Sequence, residues 1–279
     1  MSHAAHLTGT IRSGDVDLFY RHFGQRSAAA PVIIIHGANY YDSFDWIEVA
    51  DALGSDREVL AFDQRGFGQS SWSPSRNYSL DAIIGDLTAL LDHFGWPRAV
   101  VIGHSMGGGQ ALLFGARLPE RTAALVLVDH CPAAGGAASA PGQAGPAGFP
   151  DLETALAATS RDPGTPLSRV EAFTRKVDGR LLFRRDPSFN NKTPDIAGWT
   201  PKLVSTDPWA EFAAVNAPML VIRGIRSDRF NDDRIMRVHR EQPDATVVNI
   251  DCGHDVAGGA PDALIAAVRD FLKASNPSP

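Results

Sequence analysis

Short apolar runs that alternate with helical segments are the feature that restricts the fold of this 279-residue chain most strongly. Runs that are apolar throughout are typical of parallel strands buried on both faces. Antiparallel strands that expose one face to solvent instead alternate polar and apolar residues. The sequence therefore predicts an α/β protein with a mostly parallel sheet between two layers of helices. The predicted strands are residues 32–35, 58–62, 99–102, 124–128, 219–223 and 246–250. The predicted helices are residues 43–53, 80–94, 108–118 and 264–272.

Two segments depart from this alternation. Residues 9–23 alternate polar and apolar side chains around Gly14-Asp15, which predicts an antiparallel hairpin that leads into the sheet. Residues 132–213 separate two predicted strands and are too many for a simple loop. We expect them to form a helical cap inserted after the sixth strand, over a core made of residues 1–131 and 214–279. Its aromatic residues, which could line a pocket or pack inside the cap, are Phe149, Phe173, Phe183, Phe189, Trp199, Trp209 and Phe212.

The motif Gly103-His104-Ser105-Met106-Gly107 lies between a predicted strand and a predicted helix. A serine at so sharp a turn adopts a strained backbone conformation, and small residues two positions before and after it leave room for the turn. The hydroxyl then stands above the end of the strand, and the N-terminus of the following helix points towards the reaction centre. Ser105 is therefore the candidate nucleophile.

A histidine is the expected base, because a serine hydroxyl is a poor nucleophile at neutral pH without one. His254 follows the last predicted strand and would lie on the same edge of the sheet as Ser105. His36 also ends a strand, but it is interpreted as a loop-entry residue. His104 adjoins the nucleophile and points elsewhere on so sharp a turn, and His130 is a lesser rival.

The base needs an acid that fixes its tautomer and stabilises its charge. Asp228 is favoured because it follows the strand 219–223 by a short turn, which gives the chain order Ser, Asp, His. Asp129 is the alternative, since it comes directly after the preceding strand.

A tetrahedral intermediate carries an oxyanion, which needs N–H donors that are already in place. The backbone N–H of Met106, directly after the nucleophile, is the first expected donor of this oxyanion hole. The loop after the strand 32–35 supplies the second, with Ala38 as the first choice and Asn39 as the runner-up.

These motifs together resemble the α/β-hydrolase superfamily over nearly the whole chain. The resemblance rests on His36-Gly37, the stretch Asp63-Gln64-Arg65-Gly66-Phe67-Gly68-Gln69-Ser70, the motif around Ser105, the turn at Asp228 and the pair Gly253-His254. It implies a capped α/β-hydrolase fold and hydrolysis through an acyl-enzyme, with no cofactor and no metal. Ser105 would attack a carbonyl, His254 would carry the proton to the leaving group, and Asp228 would orient His254.

The fold does not choose among the reactions that this superfamily hosts. We expect a serine esterase or lactonase that acts on a small apolar or aromatic substrate. The alternatives are a C–C bond hydrolase of a ring-cleavage product, similar to the meta-cleavage product hydrolases, and a cofactor-free perhydrolase or haloperoxidase. The meta-cleavage enzymes usually carry an aromatic residue after the catalytic histidine, where this chain has Asp255. The alternative that is not an enzyme is a receptor that has this fold and only binds a ligand.

Composition limits the partners of the chain. A formal net charge of -6 gives no electrostatic reason to expect nucleic acid or an anionic membrane. Residues 1–6 lack the basic and apolar regions of a signal peptide, and no apolar stretch approaches the ~18 residues of a membrane helix. Cys131 and Cys252 show no metal spacing and are expected to be reduced. We therefore predict a cytoplasmic enzyme with a small-molecule substrate, whose oligomeric state the sequence does not indicate.

Overall fold

The computed structural model describes residues 6–38, 42–132, 148–159, 167–186, 189 and 207–277. The strands are β1 (Leu7–Ser13), β2 (Val16–Phe23), β3 (Val32–Ile35), β4 (Val59–Phe62), β5 (Ala99–His104), β6 (Thr122–Val128), β7 (Thr174–Val177), β8 (Arg180–Phe183), β9 (Met219–Gly224) and β10 (Thr246–Ile250). The helices are α1 (Ile47–Leu53), α2 (Leu80–His93), α3 (Met106–Arg117), α4 (Leu152–Thr159), α5 (Leu167–Phe173), α6 (Pro208–Ala214), α7 (Asp232–Glu241), α8 (Val256–Gly259) and α9 (Pro261–Ser275). Short 3-10 turns cover Ser43–Trp46 and Pro119–Arg121.

Eight strands form the main sheet in the order β1-β2-β4-β3-β5-β6-β9-β10. β2 pairs antiparallel with both β1 and β4, and the other neighbours pair parallel. The predicted hairpin and the predicted mostly parallel sheet are thus confirmed. Because the carboxyl ends of parallel strands meet at one edge, this order brings the residues that follow β3, β5, β6, β9 and β10 close together.

Both faces of the sheet are buried, which explains why its central strands are apolar throughout. Val32 and Ile34 pack in one hydrophobic cluster with residues of α1 and α9. Ile33 and Ile35 pack in a second cluster with residues of α2, α3 and α6. Successive residues of a strand point to opposite faces, so a strand between two helical layers needs apolar residues at every position.

The helix α2 shows how local sequence sets an element. The side chain of Ser79 accepts a hydrogen bond from the N–H of Ala82 and so caps the start of the helix. Leu87, Leu90 and Leu91 then recur at helical spacing and are buried against the sheet.

The described residues between β6 and α6, which we refer to as the cap, contain a hairpin as well as helices. β7 and β8 pair antiparallel around Asp178-Gly179, both of which have positive φ (48° and 79°). A small cluster of Phe149, Val170 and Phe173 forms the cap's own core. The expectation of a helical cap did not include this hairpin, which forms because an Asp-Gly pair between two short β-type runs favours a hairpin turn.

The end of the predicted cap segment packs with the core of the protein. Trp209 and Phe212 of α6 are buried in the cluster formed on the sheet by α2 and α3. The predicted segment 132–213 therefore contains one helix that covers the sheet directly. None of the described helices combines the length and the apolar character that a membrane crossing requires.

Candidate active site

Ser105 occupies a strained turn between β5 and α3, with φ 53° and ψ -116°. A Cβ atom at Gly103 would stand 2.2 Å from the carbonyl oxygen of Gly107, and one at Gly107 would stand 2.4 Å from the carbonyl oxygen of Ile35. Glycine is therefore required on both sides of the serine, as the motif predicts. The N–H of Ser105 donates to the carbonyl of Val128 at 3.0 Å, which fixes the turn to the end of β6.

His254 reaches the nucleophile from the loop after β10. Its Nε2 lies 2.9 Å from the Oγ of Ser105. The ring nitrogen Nε2 of His104 donates to the carbonyl oxygen of His254 at 2.8 Å, so the residue beside the nucleophile anchors the loop of the base. Asp255 accepts from the N–H of Gly258 and caps α8, which accounts for an aspartate rather than an aromatic residue after His254.

Asp129 is the carboxylate that contacts His254. Its Oδ2 lies 2.5 Å from the Nδ1 of His254, and its side chain is completely buried. The N–H of Asp129 donates to the carbonyl of Ile222 at 2.7 Å, and the N–H of Gly224 donates to its Oδ1 at 3.0 Å. A carboxylate can only accept, so the hydrogen of His254 lies on Nδ1, and Nε2 is left to accept the proton of Ser105.

The structure does not bring Asp228 to this cluster, and that assignment is corrected. The side chain of Asp228 is 82% exposed and pairs with Arg229 at 3.2 Å. In the same turn it is Ser227 that faces inward, with its hydroxyl 2.5 Å from the Oδ2 of Asp129. Asp129 reaches His254 because it follows β6 directly, with φ 44°, and its side chain enters the site without an intervening turn.

Of the three rival histidines, His36 and His104 are buried and His130 is partly buried. His36 accepts from the N–H of Gln64 at its Nε2 (3.0 Å) and donates from Nδ1 to the carbonyl of Gly37 (2.7 Å). Burial is the largest cause that lowers the pKa of His36, His104 and His130, in each case to about 4. These imidazoles are therefore neutral at pH 7, and their contacts hold neighbouring loops in place.

The loop after β3, in which the second N–H donor is expected, lies beside Ser105. A Cβ atom at Gly37 would stand 3.5 Å from the Cβ of Ser105. Met106 is the first residue of α3, and the first N–H groups of a helix have no partner within it. Ala38 follows Gly37 in the described chain, whereas Asn39 lies outside the described residues.

An apolar wall contacts the residue that follows Ser105. Met106 packs against a cluster of Phe67, Tyr78 and Phe189. The rings of Phe67 and Phe189 stack with centroids 5.0 Å apart, and the ring of Tyr78 meets that of Phe189 at 4.5 Å. The hydroxyl of Tyr78 donates to Asp186, so this wall joins the core to the chain that leaves β8. Of the other predicted cap aromatics, Phe183 packs beside the cap's own cluster, and Trp199 lies outside the described residues.

A buried ion pair also joins the cap to the core. Arg169 of α5 binds Asp45, with its Nη2 2.6 Å from Oδ2, and lies 3.6 Å from the carboxylate of Asp42. Burial raises the pKa of Asp45 to about 7, although the charge of Arg169 opposes this shift. The carboxylates of Asp45 and Asp42 raise the pKa of Arg169, so that the guanidinium stays charged.

The described thiols and metal-binding residue types form no further site. Cys131 and Cys252 are both buried and free. Over the part of the chain that the structure describes, no group of three or more His, Cys, Asp or Glu side chains could hold a metal ion.

Comparison with known proteins now identifies the family. The model of the alpha/beta hydrolase fold matches residues 30–258. The chain belongs to the α/β hydrolase family. It is therefore a hydrolase, and the resemblance found in the motifs is confirmed.

Two relatives from Mycobacterium tuberculosis align over most of their length. The lipase LipV is 28% identical, over 92% of this chain and 98% of its own. The esterase Rv0045c is 29% identical, over 88% of this chain and 83% of its own. The crystal structure of an E-2-(acetamidomethylene)succinate hydrolase superposes with a TM-score of 0.83 over 96% of this chain and all of that one, and at 22% identity it shows the shared fold alone.

Proposed function

We propose that this hydrolase cleaves carboxylic esters of small apolar or aromatic compounds through an acyl-enzyme on Ser105. One observation carries the proposal: a series of hydrogen bonds runs from the Oγ of Ser105 through His254 to Asp129, over 2.9 and 2.5 Å. The series begins at a residue in the strained conformation of a nucleophile elbow. The lipase and esterase among its relatives support the ester as the reacting bond.

The proton moves along this series in two half-reactions. The Oγ of Ser105 attacks the carbonyl carbon while its proton passes to the Nε2 of His254, and Asp129 stabilises the imidazolium that forms. The bond to the alcohol then breaks, and the alcohol leaves with the proton from Nε2. Water attacks the acyl-enzyme and gives a proton to His254. That proton returns to Ser105 as the carboxylic acid is released.

The oxyanion of each tetrahedral intermediate would accept from the N–H groups of Met106 and Ala38. Two observations support this choice: Met106 starts α3 directly after Ser105, and Ala38 follows Gly37, which lies beside Ser105. A donor of this kind typically contributes roughly 3–4 kcal/mol of transition-state stabilisation.

The apolar wall supports a small apolar or aromatic substrate. Met106 follows the nucleophile directly, is partly exposed and packs on the buried rings of Phe67, Tyr78 and Phe189, so an apolar group bound beside Ser105 could contact its side chain. A lactone is a cyclic ester, and it would react by the same steps with its alcohol still attached. A cytoplasmic location remains a prediction from the sequence.

A series of p-nitrophenyl esters of increasing acyl length tests this proposal. We expect the protein to hydrolyse them and Ser105→Ala to lose at least about 10³-fold in kcat, because the nucleophile is gone. Ser27→Ala, at an exposed serine that bonds to the carbonyl of Asp56, should match the wild type.

Two results would contradict the proposal. One is a Ser105→Ala variant that remains as active as the wild type. The other is a wild-type protein that leaves all esters and lactones intact but consumes a ring-cleavage dienoate, or brominates an acceptor when given peroxide and bromide. These would favour the C–C hydrolase or the perhydrolase, respectively.

A further inference from the structure

Two of the hydrogen bonds on the Asp129 carboxylate come from the last residue of β9 and from the turn that follows it. The N–H of Gly224 donates to Oδ1 at 3.0 Å, and the hydroxyl of Ser227 donates to Oδ2 at 2.5 Å. That same Oδ2 also accepts from the Nδ1 of His254 at 2.5 Å. Ser227 and His254 therefore share one oxygen atom of the carboxylate.

The hydrogen of the Ser227 hydroxyl has a defined direction. Its Oγ accepts from the N–H of Arg229 at 3.1 Å, which occupies a lone pair and leaves the hydrogen for Asp129. The N–H of Ser227 donates to the carbonyl of Gly224 at 3.0 Å and closes the turn. The donor is thus held in place by its own backbone and by its neighbour.

The turn is also tied to the loop that carries the base. The N–H of Ile225 donates to the carbonyl of Ile250 at 2.9 Å, and the N–H of Arg226 donates to the carbonyl of Cys252 at 3.0 Å. Both acceptors lie on the segment that leads to His254. A displacement of the turn would therefore disturb the acid and the base together.

We infer that Ser227 is a positioning residue of the proton relay, which holds the Oδ2 of Asp129 against His254 and draws part of its negative charge. This inference rests on the proposed ester hydrolysis. Ser227 touches no substrate, and it acts through Asp129. Without the hydroxyl, the carboxylate would carry more charge towards the imidazolium, and one donor fewer would fix its orientation.

Among the described residues, three other titratable groups interact electrostatically with Asp129. They are His104 at the end of β5, His130 next in the chain and Cys252 before His254. Burial lowers the pKa of both histidines to about 4 and raises the pKa of the Cys252 thiol. All three side chains stay uncharged between pH 5 and pH 8.

Steady-state kinetics of p-nitrophenyl acetate hydrolysis between pH 5 and pH 9 tests the role of Ser227. We expect Ser227→Ala to lower kcat about tenfold with KM within about twofold, since one hydrogen bond to a charged group is lost. The acidic limb of its kcat/KM profile should move to higher pH, because the imidazolium is stabilised more strongly. Ser227→Thr keeps the hydroxyl and should restore both kcat and the position of the acidic limb. Asp228→Ala, at the exposed neighbouring residue, is the matched control.

A proton NMR spectrum of the free enzyme gives a second measurement that needs no substrate. The proton between the Nδ1 of His254 and Asp129 should resonate far downfield, move in Ser227→Ala and return in Ser227→Thr. The inference is overturned if Ser227→Ala keeps the wild-type profile and spectrum, or if Ser227→Thr is equally impaired with an unchanged profile. If the wild type cleaves no ester, the proposed function fails, and the spectrum alone then decides the role of Ser227.

Discussion

Two carboxylates that are largely shielded from solvent have opposite kinds of partner. Asp129, at the edge of the sheet, accepts from a backbone N–H, a hydroxyl and the imidazole of His254, none of which is a permanent cation. Asp45, at the junction with the cap, pairs with the guanidinium of Arg169. Neutral donors leave the charge of Asp129 available for the imidazolium, whereas Arg169 neutralises Asp45. The partner therefore decides whether a buried carboxylate serves a reaction or joins two parts of the fold.

The largest difference between the two carboxylates should appear in turnover. Asp129→Asn should lower kcat for p-nitrophenyl acetate about 10³- to 10⁴-fold, because an amide cannot hold the required tautomer of His254. Asp228→Asn is the matched control and should stay within about twofold, since that side chain points into solvent. If kcat fell equally in the two variants, or only in Asp228→Asn, the assignment of the acid to Asp129 would be contradicted in favour of Asp228.

A substitution at the ion pair between the cap and the core should lower the stability of the protein. Arg169→Met removes the cation from two buried carboxylates, and we expect it to lower the free energy of unfolding in urea at pH 8 by about 3 kcal/mol. Arg175→Met removes an arginine that stacks on Trp72, its ring 4.2 Å away, from an exposed position of the same cap. That control should cost less than about 1 kcal/mol. If both variants lowered the free energy of unfolding equally, Arg169 would contribute no more to stability than a surface arginine does.

The pH dependence of stability should be the smallest effect. Burial raises the pKa of Asp45 from 3.8 to about 7, against the charge of Arg169 and with the charges of Asp42 and Asp255. The folded protein then holds this proton at pH values where the unfolded chain has lost it. The stability that Asp45 contributes is therefore fully present below about pH 4 and is lost as the pH rises through about 7.

Urea unfolding of the wild type and Asp45→Asn at pH 5 and pH 8 measures this contribution. We expect the free energy of unfolding of the wild type, relative to the variant, to fall by on the order of 1 kcal/mol between the two pH values. A difference that is constant or that rises with pH would show that Asp45 is already ionised in the folded protein at pH 5.

The strands and two of the three relay residues could be predicted because the signals are local. An apolar run between helices marks a strand, and a serine between glycines at a strand end marks the nucleophile. The choice between Asp129 and Asp228 is not local, since both follow strands that end at one edge of the sheet. The acid is the aspartate whose side chain points into the site. In the turn after β9 the side chain that points into the site is that of Ser227, not that of Asp228.

The cap was harder to predict for two physical reasons. The pair Asp178-Gly179 is a short-range signal for the β7–β8 hairpin, and the prediction of a helical cap did not take it into account. The pairing of Arg169 with Asp45 joins positions 124 residues apart. No pattern in a single sequence indicates such a contact, because it depends on how the cap packs on the core.

Phosphonylation by a fluorophosphonate ester, followed by peptide mapping, tests the relay itself, because the reagent needs both the nucleophile and its base. We predict a single adduct on Ser105 that forms rapidly in the wild type and in Asp228→Asn. It should form at least about 10³-fold more slowly in Asp129→Asn and in His254→Ala. An adduct on another residue, or labelling of Ser105 that is equally fast without His254, would contradict the relay.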